Sequence, residues 1–156
     1  MDWMKRLFNR LHVLLFRVSR GRVGGTLLGF DILLLSTRGR RSGRVRTTPV
    51  VYFRDPSGVF VIAADAGAAR HPGWYHNLRT DPRCHVTLVG GKHTTQARIV
   101  TGEEREALYG VFRERASELA EQYEQKTSRV FPVVHFALPD AVSAPRPVHV
   151  QSMDSG

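Results

Sequence analysis

A cluster of arginines in one short turn is the strongest chemical signal in the sequence. Residues 36–49 read Ser-Thr-Arg-Gly-Arg-Arg-Ser-Gly-Arg-Val-Arg-Thr-Thr-Pro, with five arginines and no acid. Gly39 and Gly43 permit backbone angles at which several N–H groups converge on one point, and Ser42 adds a hydroxyl donor. Guanidinium groups bind phosphates and carboxylates through paired hydrogen bonds. The turn therefore predicts an anion site, and a solvated arginine-rich hairpin tip is the alternative.

The residues around this turn do not match the common phosphate-binding motifs. The Gly-Lys-Ser/Thr ending of a P-loop is missing. A run of β-forming residues, Val50 to Phe53, follows the turn, whereas a dinucleotide fingerprint continues into a helix. The turn is thus predicted to join two paired strands.

No other residues form a self-sufficient catalytic site. The seven histidines lack the spacing of a metal-binding helix, and the single cysteine, Cys84, cannot complete a zinc site, so we predict no metal. There is no Gly-x-Ser-x-Gly motif and no visible pair of carboxylates. Cys84 is expected to be a small buried residue. The protein therefore either only binds a ligand or uses a cofactor that carries the reaction.

Composition limits the class of protein and of partner. The chain has 156 residues and 42% hydrophobic content, enough for one ordinary core. Its formal net charge of +9 favours an anionic partner: nucleic acid, an anionic membrane or an acidic small molecule. One cysteine allows no internal disulfide, and no apolar run approaches the ~18 residues that span a bilayer.

Residues 2–20 have the period of an amphipathic helix that is rich in arginine. We expect its apolar stripe to pack on the domain, as in most amphipathic helices. The alternatives are that the helix lies in a membrane interface or closes a substrate pocket. We expect a cytoplasmic protein, with peripheral contact at the inner face of the membrane under the interfacial interpretation. The stripe comprises Trp3, Met4, Leu7, Phe8, Leu11, Leu14, Leu15 and Val18.

The remaining pattern predicts a small β-barrel with flanking helices. Six strands are expected over residues 27–35, 47–54, 59–64, 83–89, 92–100 and 131–138, joined mostly by hairpins and therefore mainly antiparallel. Helices are expected over 73–79 and from a capping box at Thr101 and Glu104 to about Gln125. We divide the chain into an N-terminal basic helix (1–25, with a flexible joint at 21–25), a barrel domain (26–139) and a disordered tail (140–156).

The order of motifs resembles the deazaflavin-dependent nitroreductases, small split-β-barrel oxidoreductases that use coenzyme F420. The resemblance covers roughly residues 33–138. Its pieces are Thr37 to Pro49, Ala68 to Leu78, Asp81-Pro82, Val100 to Arg105 and Thr127 to Val134. It implies a split barrel of the FMN-binding type, in the α+β class with mainly β structure.

The resemblance also assigns residues to a coenzyme. Arg40, Arg41, Ser42, Gly43 and Arg46 would face its phosphate and its acidic oligoglutamate tail. Pro49, Val50, Val51 and the loop Ala64-Asp65-Ala66-Gly67-Ala68 would lie near its ring, and Trp74 would form a wall. Family members often carry a lysine in that loop, and here Arg70 would replace it. Tyr123 is a candidate proton donor, and no catalytic residue is certain.

The implied function is hydride transfer from reduced F420 to an electron-poor small molecule such as a quinone, nitroaromatic or enone. One alternative is an FMN-binding oxidoreductase of the same fold, and another is a non-catalytic F420 carrier. Nucleic-acid binding is not expected, because residues 38–46 lack the interleaved aromatic side chains that stack on bases. The acceptor and the oligomeric state stay open.

Overall fold

The computed structural model describes residues 2–18, 26–27 and 29–139. Within these residues, four α-helices span α1 (Asp2–Val18), α2 (Gly73–Thr80), α3 (Gly102–Arg115) and α4 (Ser117–Lys126), and Asp65–Gly67 forms a 3-10 turn. The strands are β1 (Thr26–Leu27), β2 (Phe30–Arg38), β3 (Val45–Val51), β4 (Phe53–Asp55), β5 (Gly58–Ile62), β6 (Arg83–Leu88), β7 (Gly91–Val100) and β8 (Val133–Ala137). The predicted joint at 21–25 and the tail at 140–156 lie outside the described residues.

The strands form one antiparallel sheet that curls into a split barrel. The order is β1-β2-β6-β7-β8-β5-β4, and β3 pairs with the other edge of β2. The sheet curls far enough for β3 to contact β5. This confirms the predicted mainly β, split-barrel class with flanking helices. Every strand pair is antiparallel, because hairpins join most of the neighbours.

The two faces of the sheet bury two separate cores. Along β5, Val59 and Val61 enter one core and Phe60 enters the other, because successive side chains of a strand point to opposite faces. The first core fills the barrel and includes Trp74 of α2. The second lies under α3 and α4 and is centred on Phe112.

The element boundaries differ from the prediction at three positions where a predicted strand or helix is interrupted. The local sequence carries no strong turn signal at these positions. The first predicted strand is divided at Gly29 (φ 83°) and the second at Tyr52, whose N–H donates to the Asp31 carbonyl at 3.0 Å. The predicted long helix breaks at Ala116, which is 3% exposed and packs in the second core. The structure therefore has eight strands among the described residues where six were expected.

The predicted capping box at the start of α3 is wrong. Thr101 is the N-cap residue, but its side chain forms no capping hydrogen bond. Glu104 instead accepts two hydrogen bonds from Arg98, at 2.7 and 2.8 Å. A bidentate guanidinium pair outcompetes the single backbone N–H that a capping glutamate would take.

None of the described helices is both long enough and apolar enough to cross a membrane.

Candidate functional site

A cleft with a volume of ≈ 900 Å³ opens beside β3. Its walls come from β3, the Asp65–Gly67 turn, α2, α4 and α1. It is large enough for a cofactor, since ligand pockets commonly measure about 300–1,000 Å³. The predicted site residues that line it are Arg46, Pro49, Val50, Val51, Ala64, Asp65, Ala66, Trp74 and Tyr123.

The floor of this central cleft is apolar because β3 runs along it with the half-buried residues Pro49, Val50 and Val51, although the side chains of Val50 and Val51 pack against the first and the second core respectively. Val50 and Val51 are paired with Leu33 and Ile32 of β2, which fixes their register. Pro49 lies in the same strand opposite Leu34. A proline is tolerated here because β3 pairs with β2 alone among the described strands, so its missing N–H faces an unpaired edge. A planar ring could stack on such a floor.

Trp74 is both a core residue and a wall of the cleft. It is 8% exposed, belongs to the first core and meets the ring of Tyr75 edge-on at 6.5 Å between centroids. The side chain also lines the cleft. The two interpretations considered from the sequence, a core anchor and a pocket wall, are therefore compatible.

The arginine turn joins β2 and β3 as predicted, but its amides do not converge on an anion. Gly39 N–H donates to the Arg44 carbonyl and Gly43 N–H to the Gly39 carbonyl, both at 2.8 Å. Arg40 N–H donates to Asn77 Oδ1 at 3.1 Å, and Arg44 N–H donates to Ser42 Oγ at 3.2 Å. The predicted cluster of free N–H donors is thus wrong for these four groups. Anion binding at the turn would depend on side chains.

Those side chains are exposed and lack acidic partners. Within the described ranges, no aspartate or glutamate forms an ion pair with Arg40, Arg41, Arg44 or Arg46, whereas Arg38 lies 3.9 Å from Asp81. The positive charge reaches α2: burial, then the charges of Arg40 and Arg79, lower the pKa of His76. The turn therefore presents uncompensated cations at the end of β3.

Asn77 anchors the turn and was not identified from the sequence. Besides accepting from Arg40 N–H, its amide donates to Thr37 Oγ1 at 3.1 Å, and it is 7% exposed. It also lines the central cleft. A polar residue among the apolar positions of a short helix was the available signal, since buried polar groups need partners.

Arg129 holds the loop that forms another wall of the cleft, and its role was also missed. Its guanidinium donates to the carbonyls of Ala63, Ala64 and Ala68 at 2.8–3.1 Å. Asp65 and Ala66, between these carbonyls, have positive φ angles of 48° and 55°. Such angles are costly for residues other than glycine and persist only where surrounding contacts impose them. Arg129 supplies these contacts.

Arg129 also contacts a histidine. Its Nη1 lies 2.7 Å from His71 Nδ1, and the guanidinium must be the donor because it has no acceptor. His71 Nδ1 therefore accepts this hydrogen bond and carries no proton. Burial, followed by the charges of Arg129, His76 and Arg79, lowers the pKa of His71. The imidazole is a structural acceptor here.

Tyr123 reaches the cleft from α4. Burial, followed by the charge of Asp65, raises its pKa, so its hydroxyl stays protonated at neutral pH. The ring meets Phe131 edge-on at 6.5 Å. A protonated hydroxyl at the cleft wall can donate a hydrogen bond to a bound ligand.

The other predicted site residues lie beside the cleft. Arg40, Arg41, Ser42 and Gly43 form the exposed tip of the turn, and Arg70 is exposed after the loop. Gly67 is buried against α4, where an added Cβ would lie 2.9 Å from the Tyr123 carbonyl oxygen. Ala68 is half-buried and accepts hydrogen bonds from Arg129. Gly67 and Ala68 therefore shape the loop from behind.

Helix α1 packs with the opposite face from the one expected. Phe16 and His12 are 1% and 8% exposed, whereas the residues of the apolar stripe are 45–77% exposed. We name its outermost part, 54–77% exposed, the outer stripe: Trp3, Leu7, Leu11, Leu14 and Val18. The expectation that the stripe packs on the domain is thus wrong. Two other residues of the stripe, Met4 and Phe8, line the central cleft together with Lys5, Arg6 and Asn9.

Other reactive residues of the chain are engaged in structural contacts. Burial raises the pKa of the Cys84 thiol to about 12, so it is not a nucleophile at neutral pH. Asp55, Ser57 and His135 are close together, but Ser57 Oγ and Asp55 Oδ2 both contact the same nitrogen, His135 Nε2, at 3.0 and 2.9 Å. This is not the relay of a nucleophilic triad. No group of metal-binding side chains is present in the described part of the chain.

Comparison with known proteins identifies relatives along most of the chain. The family model described as F420H(2)-dependent quinone reductase matches residues 7–137. The F420H(2)-dependent quinone reductase Rv1261c of Mycobacterium tuberculosis is 32% identical over 128 residues, which cover 80% of this chain and 86% of that protein. The family-model match includes residues 7–18 of α1.

Solved structures agree with this comparison. A structure of an F420-H2 dependent reductase (FDR-A) has a TM-score of 0.60 and 31% identity, covering 67% of this chain and 92% of that one. A structure described as a domain-swapped dimer has a TM-score of 0.62 and 28% identity, covering 86% of this chain and 97% of that one.

Proposed function

Since the chain belongs to the F420H(2)-dependent quinone reductase family, we propose that it transfers a hydride from reduced coenzyme F420 to a quinone bound in the same cleft. The observation that carries this proposal is the continuity of an apolar floor with a cationic rim. Val50 and Val51 form the floor, and Arg46 lies on the same strand at the rim. A flat ring joined to a phosphate arm needs both surfaces next to each other.

The residues of the cleft fit the deazaflavin coenzyme. The segment Pro49 to Val51 lines the cleft without charged groups, and the small side chains of Ala64 and Ala66 let a ring approach the loop closely. Arg40, Arg41 and Arg46 would bind the phosphate through charge-assisted hydrogen bonds, aided by the O–H of Ser42. Arg70 would add a further cation beside the loop.

The protein's own contribution would be orientation, exclusion of water and delivery of a proton. F420, when reduced and bound, supplies the hydride. Trp74 and α1 would cover the reacting atoms, and the hydroxyl of Tyr123 would donate to a quinone oxygen. Reduction of a quinone takes one hydride and one proton, so a single donor beside the acceptor completes the reaction. Holding the partners in contact accounts for most of such an acceleration.

A binding experiment separates F420 from FMN. Purified full-length protein is titrated with each in low salt, and F420 should bind more tightly, because the cations at the turn exceed what one phosphate needs. Affinity should fall as salt rises, since exposed charges are screened. Tighter binding of FMN would contradict the proposal. Turnover of reduced F420 with a soluble naphthoquinone then distinguishes an enzyme from a carrier, which would bind without oxidising the coenzyme.

A double variant tests the turn itself. Arg40→Ala with Arg41→Ala should weaken F420 binding by roughly tenfold or more, since a charge-assisted contact contributes about 1.5–3 kcal/mol. The melting temperature should hardly change, because exposed charges contribute about 0–1 kcal/mol to stability. Unchanged affinity together with a large loss of stability would assign these residues a structural role.

We also propose that the outer stripe contacts an anionic bilayer, which would put the enzyme in the cytoplasm at the inner face of the membrane, where quinones are found. Five exposed apolar side chains along one helix face exceed the scattered apolar residues of an ordinary surface. The formal net charge of +9 adds attraction to anionic lipid. The cleft lies under the same helix.

Vesicle binding tests this contact. Full-length protein should sediment with anionic vesicles and not with neutral ones, and Leu7→Gln, Leu11→Gln and Leu14→Gln together should abolish binding. Val130→Gln is the control, because Val130 is 70% exposed outside α1. If the triple variant keeps its vesicle binding, or if it changes only the oligomeric state, the stripe does not serve the membrane.

A further inference from the structure

A second cleft lies between α1 and β3 and is not explained by the ring site. This α1–β3 groove has a volume of ≈ 690 Å³. Its polar lining includes four arginines and two threonines: Arg6, Arg10, Arg17, Arg46, Thr47 and Thr48. The helical arginines share one flank because residues three or four apart, or seven apart, lie one above another. Three of the four arginines thus come from a single helix face.

The charge in the groove is uncompensated. Among the described residues, no aspartate or glutamate lines it, and none forms an ion pair with these four arginines. Arg17 Nη2 donates a hydrogen bond across the groove to Thr47 Oγ1, at 3.4 Å. A guanidinium has five N–H donors, so this contact leaves most of those of Arg17 unused. Four like charges facing each other across a groove repel unless an anion lies between them.

The groove continues from the central cleft. Arg6, Asn9, Arg46 and Thr48 line both spaces. Arg10 and Arg17 line only the groove, farther along α1. An anion that begins at Arg46, on the rim of the central cleft, can therefore extend under α1 and meet Arg10 and then Arg17. A long, flexible chain with repeated carboxylates matches this geometry better than a single phosphate does.

We propose that the α1–β3 groove binds the γ-glutamyl tail of coenzyme F420 and so extends the coenzyme site onto the N-terminal helix. This assignment rests on the proposed ring site. Of the outer stripe, only Leu14 lines the groove, at its edge beside these arginines, so one helix can serve a bilayer with one face and the tail with the neighbouring face. Binding of the tail would also hold α1 closed over the central cleft.

The test compares two forms of the coenzyme on the full-length protein. Dissociation constants are measured in low salt, by the change in deazaflavin fluorescence, for F420 with a long tail and for its precursor without glutamates. The long-tailed form should bind more tightly. The double variant Arg10→Ala with Arg17→Ala should reduce the preference for the long-tailed form by roughly five- to thirtyfold. Its affinity for the precursor should be unchanged. Arg10→Lys with Arg17→Lys should keep most of it.

A charge-matched control is available on α3. Arg113→Ala with Arg115→Ala removes the same formal charge from residues that line neither cleft, and it should leave the preference for the tail intact. Equal binding of both coenzyme forms to the unaltered protein would overturn the tail site and leave the ring site standing. The tail site would also be overturned if the Arg10/Arg17 alanine variant still preferred the long-tailed coenzyme. That conclusion would hold even if the variant had lost its vesicle binding. Failure of both forms to bind would refute the proposed function itself.

Discussion

Replacing Arg129 with alanine should weaken the proposed coenzyme site, although Arg129 is not among the residues that line the cleft. The side chain donates to three carbonyl oxygens of the loop after β5, and those of Ala63 and Ala64 belong to residues that are 0% and 2% exposed. A buried acceptor that loses its only partner costs about 1–3 kcal/mol. The Ala63 carbonyl is such a group, whereas the Ala64 carbonyl also accepts from Gly67 N–H at 3.0 Å. We therefore expect a loss of about 1–3 kcal/mol in the free energy of unfolding.

Part of that loss should appear as release of the loop. The positive φ angles of Asp65 and Ala66 persist because neighbouring contacts impose them. Without Arg129, the loop can relax to ordinary angles and expose its carbonyls to water. The affinity for F420 should then fall by roughly tenfold, since Ala64 to Ala66 form one wall of the cleft.

Chemical denaturation and coenzyme titration on the same samples measure both effects. Arg129→Lys should recover only part of the stability, because an ammonium group cannot reach three carbonyls in the fork geometry of a guanidinium. Arg113→Ala is the control: its exposed contact with Glu124, at 3.5 Å, should contribute within about 0.5 kcal/mol. If Arg129→Ala unfolds at the same denaturant concentration as the unaltered protein and binds F420 equally well, the loop is not held by Arg129.

Three further predictions concern single residues. Gly67→Ala should destabilise the fold more than Gly43→Ala, by about 1–3 kcal/mol in thermal unfolding. Both glycines have positive φ, but of the two only Gly67 would place an added Cβ against a backbone, that of α4. Equal losses of stability in the two variants would refute the clash. Burial raises the pKa of Asp55, but hydrogen bonds from His135 and Ser57 outweigh it and leave the pKa below 3.8. Asp55 should therefore stabilise the fold above about pH 4 and lose this contribution as the pH falls through its lowered pKa. Urea unfolding across this range should show a steeper loss in the unaltered protein than in Asp55→Asn, and parallel curves would contradict the assignment. Tyr123→Phe should keep the affinity for F420 but slow quinone reduction by roughly 10- to 100-fold if Tyr123 supplies the proton; an unchanged turnover rate would assign the proton to water.

The sequence alone was sufficient for the fold class and for the position of the arginine turn. Strand signals depend on local composition and period, so the hairpins around residues 39–44 and at Gly90 were predictable. The motif order from Thr37 to Val134 pointed to the family, and the family model agrees. These properties depend on residues that are close in the chain.

Only the tertiary structure decided how distant residues cooperate. Arg129 meets Ala63 from 66 positions away, and Asn77 meets Arg40 from 37 positions away. The apolar period of α1 predicted a helix but not the direction of its stripe, because periodicity does not say which face meets the barrel. Packing turned Phe16 inward and Leu7, Leu11 and Leu14 outward. The arginines of α1 came to lie opposite β3 for the same reason, since burial of the whole domain sets the orientation of each helix.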